Sequence, residues 1–261
     1  MSASGPHPAH DFAHPAIRVL TVDQTSRWLA AGWRDIRFAP MVSLGYGLLL
    51  VLASWALIGG LMAGGMGAMM LPLAGGFLLV GPVFAVGLYD ISRSREQGVR
   101  PGFRRTLTCW VPHAGQIGIM GVILLMMQFL WTLLSLVIFS LFFHSGPPPL
   151  ETFLLDILLD PDNMGFLAVG TAVGGVIAAA IFTVSVVSLP MLLDRDVSAV
   201  TAISTSIAAV RANWRVLLGW AATIVLITAV GMATFFLGLA IAMPLVGHAS
   251  WHAYRDLVEP E

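Results

Sequence analysis

His248 and His252 stand four residues apart, so on a helix their imidazoles share one face. Two imidazoles so placed can ligate a metal ion or a b-type haem, and His113 lies at a comparable depth at the start of another apolar run. No third ligand follows at matching spacing and no haem-attachment motif is present, so hydrogen bonds to headgroups or helix ends are the plainer role. Three further histidines, His7, His10 and His14, are separated by prolines in MSASGPHPAHDFAHPA. An unfolded segment of that kind is a poor specific metal site.

Other chemistry is thin. The chain contains no HExxH, GxSxG, P-loop or dinucleotide fingerprint. Its single cysteine, Cys109, cannot close an internal disulfide and belongs to no CxxC or zinc framework. No Asp, Glu, Arg, Lys or His is expected at the middle of an apolar run, where a proton or ion carrier needs one. Gln128 is the most polar residue there, accompanied by hydroxyls such as Thr183 and Ser185, and reads as glue between helices. These absences weigh against a pump or ion exchanger and give no expectation of a cofactor.

The elements that must carry these residues are apolar helices. Mean hydropathy is +0.87, and 57% of the 261 residues are hydrophobic against 10% charged, a composition suited to a bilayer rather than to water. A net charge of −1 gives no general attraction to nucleic acid. There is no lysine, and all 13 basic side chains are arginines in clusters at 18–37, 93–105 and 195–215, with Arg255 beyond them. Cytoplasmic segments collect arginine, so these clusters are expected on the cytoplasmic side. No cleavable signal peptide is expected, because the first forty residues are polar and arginine-bearing.

Spans are expected at about 41–62, 69–89, 117–143 and 166–193. The last apolar run, 216–247, is too long for one crossing unless strongly tilted and short for two. An even number of crossings puts Arg255 with the other arginines, which favours spans at 214–231 and 233–253 turning near Gly231. The expectation is therefore an all-α polytopic bundle of six spans with both termini cytoplasmic. Residues 1–16 form a disordered tail and 17–261 a single transmembrane domain. The acidic outside loop, 144–165, carries an amphipathic helix with Leu150, Phe153, Leu154, Ile157 and Leu158 on one face.

Three segments share a plan and read as pseudo-repeated hairpins: a cytoplasmic arginine- and aromatic-rich lead-in, two spans joined on the outside, a late proline (Pro82, Pro190, Pro244), then mixed charge. The lead-ins are SRWLAAGWRDIRF, GFRRTLTCW and AAVRANWR; the endings are YDISR, LLDRD and HAYRDL. The first lead-in reads as a helix capped by Asp23, with Trp28, Leu29, Trp33 and Ile36 toward lipid and Arg27, Arg34 and Arg37 toward phosphates. Arg104, Arg105, Trp110, Arg211, Trp214, Arg215, Trp251, Tyr254 and Arg255 complete the set of candidate interface or partner contacts. The GxxxG spacings Gly60–Gly64 and Gly170–Gly174 mark expected close helix contacts.

The runs RWLAAGWRDIRFAPMVSLGYGLLL and PLVGHASWHAYRDLV resemble a family of bacterial predicted integral membrane proteins, domain of unknown function 2189. The resemblance implies a six-span fold over nearly the whole chain after the tail, and it carries no catalytic residue over. The stretch Ser206 to Asn213 also matches an "S…N" lead-in shared by other multi-span bacterial families. The functional expectation is a non-enzymatic inner-membrane protein, an accessory, assembly or scaffold component contacting anionic lipid headgroups or a membrane-protein partner. Facilitative passage of a small neutral or amphipathic solute is the alternative. A metal- or haem-binding role linked to respiration is the weaker one.

Overall fold

The computed structural model describes residues 15–21, 23–66, 69–143 and 160–260. The expected outside amphipathic helix and all but the end of the N-terminal tail lie outside those residues. Eleven α-helices are described: α1 Gln24–Phe38, α2 Pro40–Ala63, α3 Met70–Phe84, α4 Val86–Glu96, α5 Phe103–Thr108, α6 Ala114–Phe142, α7 Met164–Ser185, α8 Ser188–Asp194, α9 Ala199–Ala212, α10 Trp214–Ala233 and α11 Leu239–Leu257. Among the described residues there is no strand, and one isolated antiparallel bridge joins Ile17 to Val258.

By length and composition, four stretches among the described residues can cross a bilayer: Pro40–Ala63, Phe103–Phe142, Pro161–Asp194 and Trp214–Ala233. The two remaining expected crossings fall short for different reasons. α3 has only 15 residues before the chain bends at Ala85. α11 has 19, but its second half carries His248, His252, Arg255 and Asp256. The turn expected near Gly231 comes later, at 234–238, where Phe235 and Phe236 both take positive φ, 53° and 66°. Such a backbone is uncommon for bulky residues, and Trp55 of α2 braces it by donating to the Phe235 carbonyl at 2.9 Å.

The helices form two groups. In one, α3, α6 and α7 pack on one another; in the other, α2 and α10 flank α11. The first expected hairpin is therefore not a packed pair, since α2 lies along α11 while α3 lies along α6. Leu50 and Val51 of α2 share an apolar cluster with Leu239, Ala242 and Met243 of α11. Close approach rests on two glycines. A Cβ on Gly47 would sit 2.3 Å from the Ala240 carbonyl oxygen, and one on Gly32 would sit 2.9 Å from backbone atoms of Leu245 and Ala249. Of the expected GxxxG glycines, Gly60 and Gly170 have open space where a Cβ would go, whereas Gly174 meets Trp131 at 3.0 Å.

The lead-in helix α1 corrects the expectation most clearly. It packs on α11 instead of lying on lipid, with Trp28 1% and Ile36 4% exposed. Trp33, on the other face, is 41% exposed. Asp23 makes no side-chain cap, although its carbonyl accepts from the Ser26 hydroxyl at 3.0 Å. The apolar stripe meets α11 because Gly32 lets the two backbones approach closely and Asp256 accepts the Trp28 indole N–H at 2.8 Å.

Two helix breaks are repaired by side chains from neighbouring helices. At the α3–α4 bend, the Leu88 N–H turns to Ala85 and leaves the Phe84 carbonyl free; the Tyr46 hydroxyl donates to it at 2.7 Å. At the α7–α8 break, Ser206 of α9 inserts into what would be the Val187-to-Thr183 helical bond. Its hydroxyl accepts from the Val187 N–H at 3.2 Å and donates to the Thr183 carbonyl at 2.7 Å. Asn213, the other half of the "S…N" lead-in, holds the N-terminal segment. It accepts from the Leu20 N–H at 2.7 Å and donates to the Arg18 carbonyl at 2.9 Å.

Candidate functional site

Both endings and lead-ins converge at one end of the bundle, which carries most of the described charge. Asp194, at the end of α8, lies at its centre. Arg93 of α4 approaches one carboxylate oxygen at 3.4 Å, while Arg255 of α11 approaches the other at 3.3 Å. The Tyr254 hydroxyl donates to that second oxygen at 2.9 Å and accepts from Arg195 Nε at 3.0 Å. Glu96 extends the seam by accepting from Trp251 Nε1 at 3.0 Å and pairing with Arg255 at 3.4 Å. Each of the three mixed-charge endings seen in the sequence thus supplies a residue to one network.

A second part of the seam lies between α1, α4 and α11. Asp35, fully enclosed, pairs with Arg95 and lies 2.8 Å from His252 Nε2. Burial by itself would raise its pKa, but hydrogen bonds from His252, Ser92 and Arg95 outweigh that and hold the carboxyl at about 2. Asp90 behaves oppositely. Burial raises its pKa despite the nearby guanidinium groups of Arg105 and Arg93, with Arg105 Nε at 3.5 Å.

The expected histidine face is split by these contacts. His248 is wholly buried, with Nε2 3.0 Å from the Ser43 hydroxyl and Nδ1 2.8 Å from the Ser92 hydroxyl. Both ring nitrogens are therefore engaged by hydroxyls, while His252 is turned to Asp35. His113 immediately precedes α6 and is partly exposed. Among the described residues no three His, Cys, Asp or Glu side chains are grouped to hold a metal ion. His248 is thus an ionisable side chain buried beside Ser92 at the charged end of the bundle, one turn from His252.

Trp251 and Tyr254, expected at an interface, are wholly buried in the seam, as Trp28 is through its 2.8 Å bond to Asp256. Trp33, Arg34, Arg104, Arg105, Trp110, Arg211, Trp214 and Arg215 are exposed. Gln128 of α6 faces Gly76 of α3, where a Cβ would come within 2.0 Å of its amide nitrogen. That nitrogen donates to Thr132 at 3.3 Å, and the buried Oε1 has no partner among the described residues. Asp35, Ser43, Ser92 and Asp194 were missed as site residues. Only the recurring mixed-charge endings hinted at one of them, Asp194.

The remaining feature is a cavity of about 520 Å³ between the two helix groups. Its walls come from α3 and α4 (Phe77 to Tyr89), α7 (Gly175 to Ser185), the α9–α10 joint and α10 (Val210 to Thr228), and α11 (Met243 to Ser250). The lining is almost wholly apolar, with hydroxyl-bearing Tyr89, Ser185 and Ser250 toward the charged end. Leu218 and Val225 belong both to the lining and to the exposed face of α10, at 63% and 50% exposure. The cavity therefore reaches the outer, apolar surface of the bundle. Its volume falls in the ~300–1,000 Å³ range that takes one small ligand.

The chain is similar to a family described as predicted integral membrane protein (DUF2189), which matches residues 70–194, from the start of α3 to the end of α8. The two runs that carry the resemblance in the sequence, 27–50 and 244–258, lie outside that match. No curated protein and no solved structure matches the chain. The chain is thus an integral membrane protein with several apolar helices, in keeping with that family description.

Proposed function

We propose that this is a six-span protein of the bacterial inner membrane, both termini cytoplasmic, that acts without catalysis as an accessory or scaffold protein holding lipid. The carrying observation is the apolar cavity between the two helix groups, open at Leu218 and Val225 to the surface that lipid would cover. An apolar opening of this kind admits molecules already dissolved in the bilayer more readily than solutes from water. The charged seam supports a structural use of the polar residues, since each of its carboxylates is spent on a neighbouring helix. The arginine distribution supports the orientation. The 19 residues of α11, about 28 Å at ~1.5 Å per residue, support a sixth crossing beside α10.

Native mass spectrometry of protein purified in mild detergent tests this. Wild type is expected to retain lipid in near-stoichiometric amount, and Ala178→Phe, which fills the cavity from α7, is expected to lose it. Equal retention by both would remove the reading.

A second reading, facilitative passage of a small neutral or amphipathic solute, draws on the same cavity and on the bends at Ala85 and at 186–187. Absence of flux in proteoliposomes across a broad panel of neutral solutes would exclude it.

A further inference from the structure

We infer that the cavity selects an anionic phospholipid, with an acyl chain between α3, α7 and α10 and the phosphate against Arg211 and Arg215. This rests on the lipid-holding reading and names its ligand. Two lining residues, Val210 and Trp214, are each followed in the chain by an exposed arginine, Arg211 and Arg215; Arg211 lines a separate open depression on α9 with Ser204, Ile207, Ala208 and Ala212. Arg215 lies over the Trp214 ring, its guanidinium carbon 5.2 Å from the centroid. Trp214 itself is 56% exposed, a ring with one edge in the cavity wall and the rest at the surface.

Charge then decides what fits. Arg93, Arg95, Arg105 and Arg255 are paired with carboxylates, whereas Arg211 and Arg215 have no carboxylate partner among the described residues. No Asp or Glu occurs between Asp196 and Asp256, so the whole of α9 and α10 offers these two cations no internal counter-ion. A hydrocarbon chain gains little by leaving the bilayer for an apolar cavity, because lipid tails are as apolar as leucine. Preference among lipids must therefore come from the headgroup, and two free guanidinium groups favour a phosphate whose lipid has a net negative charge. A free anion lacks the chain that would seat it, so the ligand is the lipid and not inorganic phosphate.

The test titrates full-length protein in detergent with phosphatidylglycerol and phosphatidylcholine of identical chains, read by native mass spectrometry. Phosphatidylglycerol is expected to bind more tightly by roughly fivefold per guanidinium. Arg211→Gln with Arg215→Gln should bring the two lipids within about twofold, and the corresponding Arg→Lys pair should keep most of the preference. Both positions are exposed, and a single symmetric elution peak checks the fold. Equal binding of the two lipids to wild type, persistence of the preference in the Gln pair, or displacement by millimolar inorganic phosphate would each overturn the headgroup assignment and leave the cavity reading standing. Retention of both lipids by Ala221→Phe would instead overturn the cavity reading beneath it.

Discussion

Asp35 and His252 meet at 2.8 Å in the contact between α1 and α11, with the carboxylate wholly enclosed and Arg95 on its other oxygen. The acidic group is held at about 2, below its ordinary 3.8. A carboxyl with a depressed folded-state pKa contributes fully above the unfolded value and loses that contribution as protons bind. Stability is therefore expected to hold down to about pH 4 and to fall between about pH 4 and pH 2. Asp35→Asn should flatten that acid limb. At neutral pH it should cost about 2 kcal/mol, less than breaking a fully buried pair because Arg95 and His252 are partly solvated. Thermal unfolding in detergent followed by tryptophan fluorescence reads both effects, and an unmoved midpoint would contradict the argument.

His248 gives a second expectation. Its neutral ring has one donor and one acceptor, and Ser43 and Ser92 take one each. Ser92→Ala strands a buried ring nitrogen and should cost about 1–3 kcal/mol. In a His248→Ala background the same change should cost little, since the partner is already gone. Were the ring a metal ligand instead, Ser92→Ala would leave stability unchanged and a chelator would lower the midpoint.

Much of the architecture was legible because hydropathy and charge report on solvent. The apolar stretches that became α2, α6, α7 and α10 exclude charge over lengths only a bilayer demands. Packing was not legible in the same way. The stripe of Trp28 and Ile36 has the same period whether it meets lipid or α11, and only the tertiary structure distinguishes the two. The seam was half visible. YDISR, LLDRD and HAYRDL advertised paired charge, but nothing local said that Asp194 would collect arginines from the other two endings. Asp35 was hidden because an acid beside arginines on a short amphipathic helix is ordinarily solvated. Glycine spacing misled in part for a related reason: Gly174 does meet Trp131 of α6, but Gly60 and Gly170 meet nothing, while Gly32 and Gly47, outside the two spacings singled out, carry the contacts with α11.

Those glycines can be tested against each other. Gly47→Ala puts a methyl 2.3 Å from the Ala240 carbonyl oxygen, backbone that cannot swing away. Separating α2 from α11 to admit it should cost about 1–3 kcal/mol. Gly32→Ala should show a smaller loss at the α1–α11 crossing, where the closest approach is 2.9 Å. Gly60→Ala and Gly170→Ala should be neutral or slightly stabilising, because each adds helix propensity in open space. A destabilised Gly60 variant with an intact Gly47 variant would reverse the assignment of the packing face.

The orientation is open to a direct test with single cysteines. Cys109→Ala removes the native thiol, which is half-buried and donates to the Thr106 carbonyl at 3.2 Å, so its loss should disturb little. In that background Glu261→Cys and Ser4→Cys should react with a membrane-impermeant maleimide only after cells are permeabilised, and Asp160→Cys should react in intact cells. The reason lies in the arginines. Six crossings would leave the three arginine clusters and the isolated Arg255, all 13 arginines, on a single side, whereas five crossings would strand Arg255 and its partners Glu96 and Asp194 on opposite sides. The ion pairs join Arg255 of α11 to the ends of α4 and α8 directly, so the side that holds Arg93 must also hold the C-terminal helix end. Labelling of Glu261→Cys in intact cells, with Ser4→Cys protected, would separate the two termini and break that geometric link.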